Sequence, residues 1–318
     1  MILFITFLEW YIAASQGDPS NICPPEELIS PCNCTKACPL CDAQVRCTEI
    51  LNHEDLKKVL EKSTDYSFWN FYIENSVFMY IPSDVIVEKK VRKLYLRDNV
   101  MVSLFDTAPP TTNLLVELEL TNLILRTGVR WQVFSSLHKL KELNLTNFDI
   151  PRIDQPFLDH FPQGLTGLYL NSTKTKQLSD DSFSKLTELT RLFIRNSEIK
   201  EIKRSMFPPH SDLLAISFSG SKISTLPDDI FTNMPHLQSI YFSNTNLVTL
   251  KESVFGPIFA NISVLFLEDN AIDCNCQMKW LTKQTSFPFY LKVICTKPKT
   301  VEGLSISELK PSHFAHCD

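Results

Sequence analysis

LTRLFIRNSEIKEI (residues 189–202), LLAISFSGSKISTL (213–226) and LQSIYFSNTNLVTL (237–250) repeat one pattern, each copy starting 24 residues after the last. Positions 1, 4, 6, 11 and 14 of every copy are apolar. A fixed period of this length with this pattern means stacked supersecondary units, that is, a solenoid. One unit cannot bury its apolar edge alone, so the pattern must continue in both directions.

It does. Equivalent first positions fall at Phe68, Val91, Leu115, Leu140, Leu165, Leu189, Leu213, Leu237 and Ile262, spaced 23 to 25 residues apart, and positions 1, 4 and 6 are apolar in all nine. The spacing LxxLxLxx(N/S/T)xLxxL is that of the leucine-rich repeat. The resemblance implies an α/β solenoid, a horseshoe of nine repeats lined by a concave parallel β-sheet. Strand alternation sends positions 4 and 6 into the core and positions 3, 5 and 7 outward. Phe183, Phe207, Phe231 and Phe255 share position 19 and are expected to stack beneath the convex wall. Position 9 ordinarily bonds the backbone of the adjacent turn. Leu123 and Phe148 occupy it in the third and fourth repeats, so an irregular ladder is expected there, with Asn122 and Asn147 serving instead.

The ten cysteines cluster near the two ends, which fits disulfides formed in an oxidising compartment. CPPEELISPCNC (residues 23–34), followed by VRC (45–47), resembles the cysteine-rich cap that precedes extracellular leucine-rich repeats. CNCQMKWL (274–281), with Cys295 and Cys317, resembles the cap that follows them. Six N-terminal cysteines allow fifteen pairings. The resemblance implies Cys23–Cys34 and Cys32–Cys47, with the extra Cys38 and Cys41 paired together, and Cys274–Cys295 and Cys276–Cys317 at the other end. Asn52 before Leu56, Val59 and Leu60 predicts a short amphipathic helix with an Asn N-cap. Trp280 and Leu281 are expected to form the C-terminal cap's own small core.

The first residues, MILFITFLEWYIAASQG, are apolar and end in small residues, resembling a secretory signal peptide cleaved after Ser15 or Gly17; the alternative is a buried N-terminal strand. The expected organisation is a signal peptide at 1–17, an N-terminal cap at 18–67, nine repeats at 68–272 and a C-terminal cap at 273–318. No later apolar run approaches the ~18–20 residues needed to span a bilayer. The expectation is a secreted, extracellular protein without a membrane anchor. With both caps and the repeats, the whole mature chain resembles arthropod secreted leucine-rich-repeat proteins of the oplophorus-luciferin 2-monooxygenase non-catalytic-subunit type. That implies an extracellular binding or companion protein.

A net charge of −5 without long single-sign runs argues against a nucleic-acid surface, and only 7 glycines argue against Gly-rich phosphate loops. His53, His138, His160, His210, His236, His313 and His316 are scattered and belong to no nucleophilic motif. No catalytic residue and no cofactor is expected. His313, His316 and Cys317 have ligand chemistry for zinc, but a disulfide claims Cys317, so no metal is expected. The Cys38-Pro-Leu-Cys41 motif lacks the βαβ context of a redox pair and reads as a structural bridge.

Function is legible in the outward columns. Position 5 reads Tyr72, Tyr95, Glu119, Asn144, Tyr169, Phe193, Ser217, Tyr241 and Phe266, six aromatic residues where solvent-facing ones belong. Rings of this kind anchor protein partners, although aromatics also suit strands for packing reasons alone. Arg191 and Arg195 flank Phe193, and Arg97 lies beside Tyr95, a pairing that favours a protein partner. Asn33, Asn144, Asn171 and Asn261 begin N-glycosylation sequons. Glycans at Asn144 and Asn171 would cover the centre of the concave sheet. The expected partner, an extracellular protein or peptide, therefore sits on the C-terminal half, over Tyr169, Arg191, Phe193, Arg195, Ser217, Tyr241 and Phe266. The alternative is a non-catalytic companion that stabilises a separate secreted enzyme.

Overall fold

A computed structural model describes residues 22–36 and 43–317; the expected signal peptide and the Cys38–Cys41 bridge lie outside the described residues. Strands are numbered in chain order. β1 (Cys32–Lys36) runs antiparallel to β2 (Ala43–Thr48), and β3 (Asn70–Glu74) pairs parallel with β2. β4 (Lys93–Arg97) continues the main sheet, and β5 (Val100–Met101) leaves it. Further main-sheet strands are β6 (Glu117–Thr121), β8 (Glu142–Thr146), β10 (Gly167–Asn171) and β12 (Arg191–Arg195). Then come β13 (Ala215–Ser217), β14 (Ser239–Tyr241), β15 (Val264–Phe266) and β16 (Tyr290–Lys292). β7 (Ile124–Leu125) pairs with β5, and β9 (Arg152–Ile153) with β11 (Gln177–Leu178), as two small parallel sheets beyond the ends of the main strands.

Each predicted repeat supplies one strand of the twelve-stranded main sheet, and β2 and β16 carry it into both caps. The pairings advance without slippage: Leu143, Leu168, Leu192 and Ile216 face one another along one inward row. All four are fully buried. Burial of each contributes about 1.5–3 kcal/mol. Because alternation has period two, a slip of one residue would turn this row to solvent.

The return paths are turns, 3₁₀ segments and short α-helices (Val85–Glu88, Gln155–His160 and Glu252–Phe255), closed by aromatic packing. Phe183 and Phe207, and Phe231 and Phe255, pack with centroids 5.9 Å apart, and all four are buried.

The nine residues at position 8 form a column of their own. Asn75, Asp98, Asn122, Asn147, Ser172, Asn196, Gly220, Asn244 and Asp269 all have positive φ. Each turns the chain out of its strand through the left-handed region, which Gly, Asn and Asp tolerate best. This corrects the role expected of Asn122 and Asn147. Their side chains do not bond the turn backbone; Asn122 donates to Asp98 (2.7 Å) and Asn147 donates to Asn122, along the rim. Position 9 does bond backbone where it is polar at the ends: Asn99 Nδ2 donates to Ile73 O (2.8 Å) and Asn270 Nδ2 to Phe242 O (2.7 Å). Leu123 and Phe148 are buried and interrupt that ladder.

At the N-terminal end Cys23 is joined to Cys34 and Cys32 to Cys47. The helix His53–Lys62 starts at Asn52, whose side chain accepts from Asp55 N–H, and it buries Leu56, Val59 and Leu60. Lys89 is buried against this cap and donates from Nζ to Ser63 O and Ser63 Oγ. Burial pushes its ammonium below the usual lysine range, with Glu88 and Asp65 opposing. At the C-terminal end Cys274 is joined to Cys295 and Cys276 to Cys317. Trp280 is not part of a separate cap core. Its indole N–H donates to Leu250 O (3.0 Å) and its ring meets Phe259 at 5.2 Å, so it packs back onto the eighth repeat. No helix among the described residues is long and apolar enough to cross a membrane.

Candidate functional site

The outward face of the main sheet divides at β10. Among β2 to β8 it is laced with charge. Arg46 bonds Glu74 (2.6 Å) and lies 4.3 Å over the Tyr72 ring, which stacks on Tyr95 at 4.4 Å. Tyr95 Oη donates to Glu117 (2.8 Å), Lys93 pairs with the same carboxylate (2.7 Å), and Arg97 reaches Glu119 (3.3 Å). Burial, reinforced by Glu117, pushes the Tyr95 phenol well above its ordinary value. Asn144 lies in an open depression of about 360 Å³ with Glu117, Glu119, Glu142, Tyr169 and Arg191.

Arg191 belongs to this network rather than flanking Phe193. Its guanidinium crosses β10 to bond Glu142, two strands away. Gly167 lies between them in register. A Cβ there would collide with Glu142 Oε2, so a side chain would force that carboxylate aside.

From β10 to β15 the face is aromatic. Tyr169 and Phe193 meet edge to face at 5.3 Å, Phe193 and Tyr241 at 6.0 Å, and Tyr241 and Phe266 at 5.5 Å. Each contact is worth about 0.5–1.5 kcal/mol beyond area burial. Arg195 lies 4.8 Å over the Phe193 ring. Burial, with Glu142 adding to it, also raises the Tyr169 phenol.

Ser217 departs from its expected place. It stands in register between Phe193 and Tyr241 but is fully buried, not presented to solvent. Strands two apart are about 9.6 Å apart, and the two rings lean across the small residue to meet. Arg195 Nε also donates to Ser217 Oγ (3.3 Å). Ser217 is the buried notch between the two rings.

Two exposed rings escaped the repeat columns because they lie in the cap. Phe289 and Tyr290 are 82% and 58% exposed and pack at 4.7 Å. Tyr290 is in register with Val264, so it extends the same face at the sheet's C-terminal edge. The run FPFY at 287–290 was the available signal.

The sequons differ in setting. Asn33 on β1 and Asn261 before β15 are exposed, whereas Asn144 and Asn171 are half-buried. Asn144 accepts from Thr146 (3.1 Å) and Asn171 from Asn196 (2.9 Å). Cys276, His316 and Cys317 hold their ligand atoms within 4.8 Å of one another, but the two sulfurs are bonded to each other.

No family model matches the chain. Chicken epiphycan is 28% identical over 98 residues, 31% of this chain and 29% of epiphycan, so the match spans less than a third of that relative's length. Among solved structures, human 5T4 (trophoblast glycoprotein) superposes with a TM-score of 0.57 at 19% identity, covering 75% of this chain and 92% of that one. TLR13 in complex with ssRNA13 gives 0.59 at 18% identity over 70% of this chain and 31% of that one. A chain of the octameric complex of Latrophilin 3, Unc5D and FLRT2 gives 0.48 at 18% identity, covering 75% and 88%. The fold is the leucine-rich-repeat solenoid. Parallel strands on one face and disulfides near both ends belong to it.

Proposed function

We propose that the chain is a secreted, non-enzymatic leucine-rich-repeat module that binds an extracellular protein or peptide through the C-terminal half of its concave face. The observation that carries this reading is the unbroken series of half-buried rings Tyr169, Phe193, Tyr241 and Phe266, extended by Tyr290. Rigid rings supply large contact area at low entropic cost, and aromatic residues with arginine dominate protein hot spots. Arg195 above Phe193 adds such a donor. Glycans at Asn144 and Asn171 would screen the middle of the sheet and leave this half open.

A nucleic-acid reading, suggested by the ssRNA in the TLR13 complex, is disfavoured by charge. Arg46, Lys93, Arg97 and Arg191 on the concave face are each paired with a glutamate. Phosphate binding needs cations free to neutralise it. The resemblance to non-catalytic luciferase subunits makes the companion role the competing protein-binding reading. Pull-down with the glycosylated, secreted protein, followed by mass spectrometry and an activity assay, separates the two. Retrieval of one extracellular chain without turnover supports a recognition module; a stable complex whose second chain carries activity supports the companion. Retrieval of nothing specific under either glycosylation state sinks both.

A further inference from the structure

The rim along which the chain leaves the sheet opens at one junction. At six of the eight other steps from the N-terminal cap to the ninth repeat, the later repeat donates a backbone hydrogen bond to the earlier one at position 10. Examples are Val77 to Ile50 O, Val100 to Ser76 O, Ile124 to Asn99 O, Glu198 to Thr175 O and Lys222 to Ile199 O. The other two are bridged at position 12, by Lys176 to Pro151 O and Asp273 to Val248 O. Between the third and fourth repeats, among the described residues, no hydrogen bond of any kind links 123–139 to 148–164. The sequence explains the break. Position 12 donates from Val102 to Met79 O and from Arg126 to Met101 O, but in the fourth repeat it is Pro151, which has no N–H. At position 9, Leu123 and Phe148 cannot make the side-chain bonds that Asn99 and Asn270 make.

The gap is a cavity of about 540 Å³ with Leu123, Leu125, Val129 and Phe148 in its walls and Ile124, 61% exposed, at its lip. One wall is the free edge of the two-stranded sheet β5–β7. Ile124 and Arg126 direct their N–H groups back to Asn99 O and Met101 O. By strand alternation, the Leu125 N–H and Leu123 C=O between them face the gap. An unpaired edge of this kind is a template for another strand. The charged residues lining the gap, Lys174 and Asp149, pair with each other (3.6 Å), while Arg126 and Arg130, next in the chain to the lining residues Leu125 and Val129, and Arg152 are exposed and form no ion pair among the described residues.

We infer that this gap is a second docking site, distinct from the concave face, for an extended peptide segment of a partner. The segment adds to β7 as a strand, places apolar side chains against Ile124, Leu125 and Phe148, and carries acidic residues for the unpaired arginines. The open backbone edge selects a peptide over a lipid, and the charge selects an acidic one, since arginine forks carboxylates.

The test is panning a displayed library of random dodecapeptides on the glycosylated protein, with the Ile124→Glu variant as counter-selection. Because Ile124 is exposed, that variant retains the fold, which its melting temperature verifies. The expected outcome is enrichment of peptides with alternating apolar residues and Asp or Glu, binding at least about tenfold more weakly to Ile124→Glu. On binding the synthetic peptide, hydrogen exchange at the Leu125 amide should slow. A double reversal, Arg126→Glu with Arg152→Glu, should shift the selected peptides to basic ones. The inference is overturned if enriched peptides bind Ile124→Glu equally, if they carry no charge preference, or if protection falls outside residues 123–129 and 148–151. It is overturned equally if only anionic vesicles, or a second copy of the chain, occupy the gap.

Discussion

The two halves of the concave sheet share one backbone and differ in what stands at positions 3, 5 and 7. From β2 to β8 outward side chains are knitted into ion pairs around a single Tyr72–Tyr95 stack. From β10 to β15 they form a run of edge-to-face rings. In both halves a small residue decides who meets whom. Gly167 lets Arg191 reach Glu142, and Ser217 lets Phe193 reach Tyr241. The ionic half satisfies its own charges and has little left to offer a partner. The aromatic half leaves ring surface half-exposed, and such surface still gains from being covered.

The largest expected effect separates scaffold from surface. Phe218→Ala, which empties an inward site stacked on Phe242 at 5.8 Å, should cost about 3–5 kcal/mol and lower the denaturation midpoint sharply. Leu143→Ala in the ionic half should cost about 2–5 kcal/mol. If either inward change is silent, the register of that half is wrong. Next in size is Ser217→Phe, which overfills the notch and parts the rings at a cost of about 1–3 kcal/mol. Urea unfolding, with near-ultraviolet circular dichroism to report the ring coupling, would reveal both effects.

Smaller still is the ionic half's own signature. Glu142→Gln should change stability by less than about 1 kcal/mol at physiological salt, because the pair it breaks is partly exposed and screened. A larger loss would mean the network holds the sheet together. The smallest effect is a titration. The Tyr95 phenol is raised in the folded state, so the folded chain holds its proton where the unfolded chain has lost it. The resulting stability is fully present below the ordinary tyrosine value near 10.0 and declines as pH rises from there. Tyr95→Phe should flatten that decline, and phenolate absorbance should show one late-titrating tyrosine fewer.

The repeat pattern was legible because burial repeats: an apolar residue at positions 1, 4 and 6 is demanded in every unit by the same core. The aromatic column was legible for the same reason. What escaped depends on neighbours rather than on pattern. Ser217 reads as outward from alternation alone, but it is fully buried between the flanking rings and in contact with Arg195. Arg191 reads as a neighbour of Phe193, but Gly167 diverts it toward Glu142. Trp280 sits among cap cysteines in the chain and against Leu250 and Phe259 in space. Position 8, by contrast, could have been read. Five Asn, two Asp, one Gly and one Ser in nine places state a left-handed turn in plain composition.

The most direct measurement is a paired affinity comparison against the partner retrieved by the glycosylated protein. Phe193→Glu alters the aromatic half and Tyr72→Glu the ionic half, each at position 5 and each half-buried. With both variants secreted and melting close to the parent, Phe193→Glu should weaken binding at least about tenfold, and Tyr72→Glu by less than about threefold. Equal losses, or none from Phe193→Glu, would contradict the assignment of the aromatic half as the recognition surface.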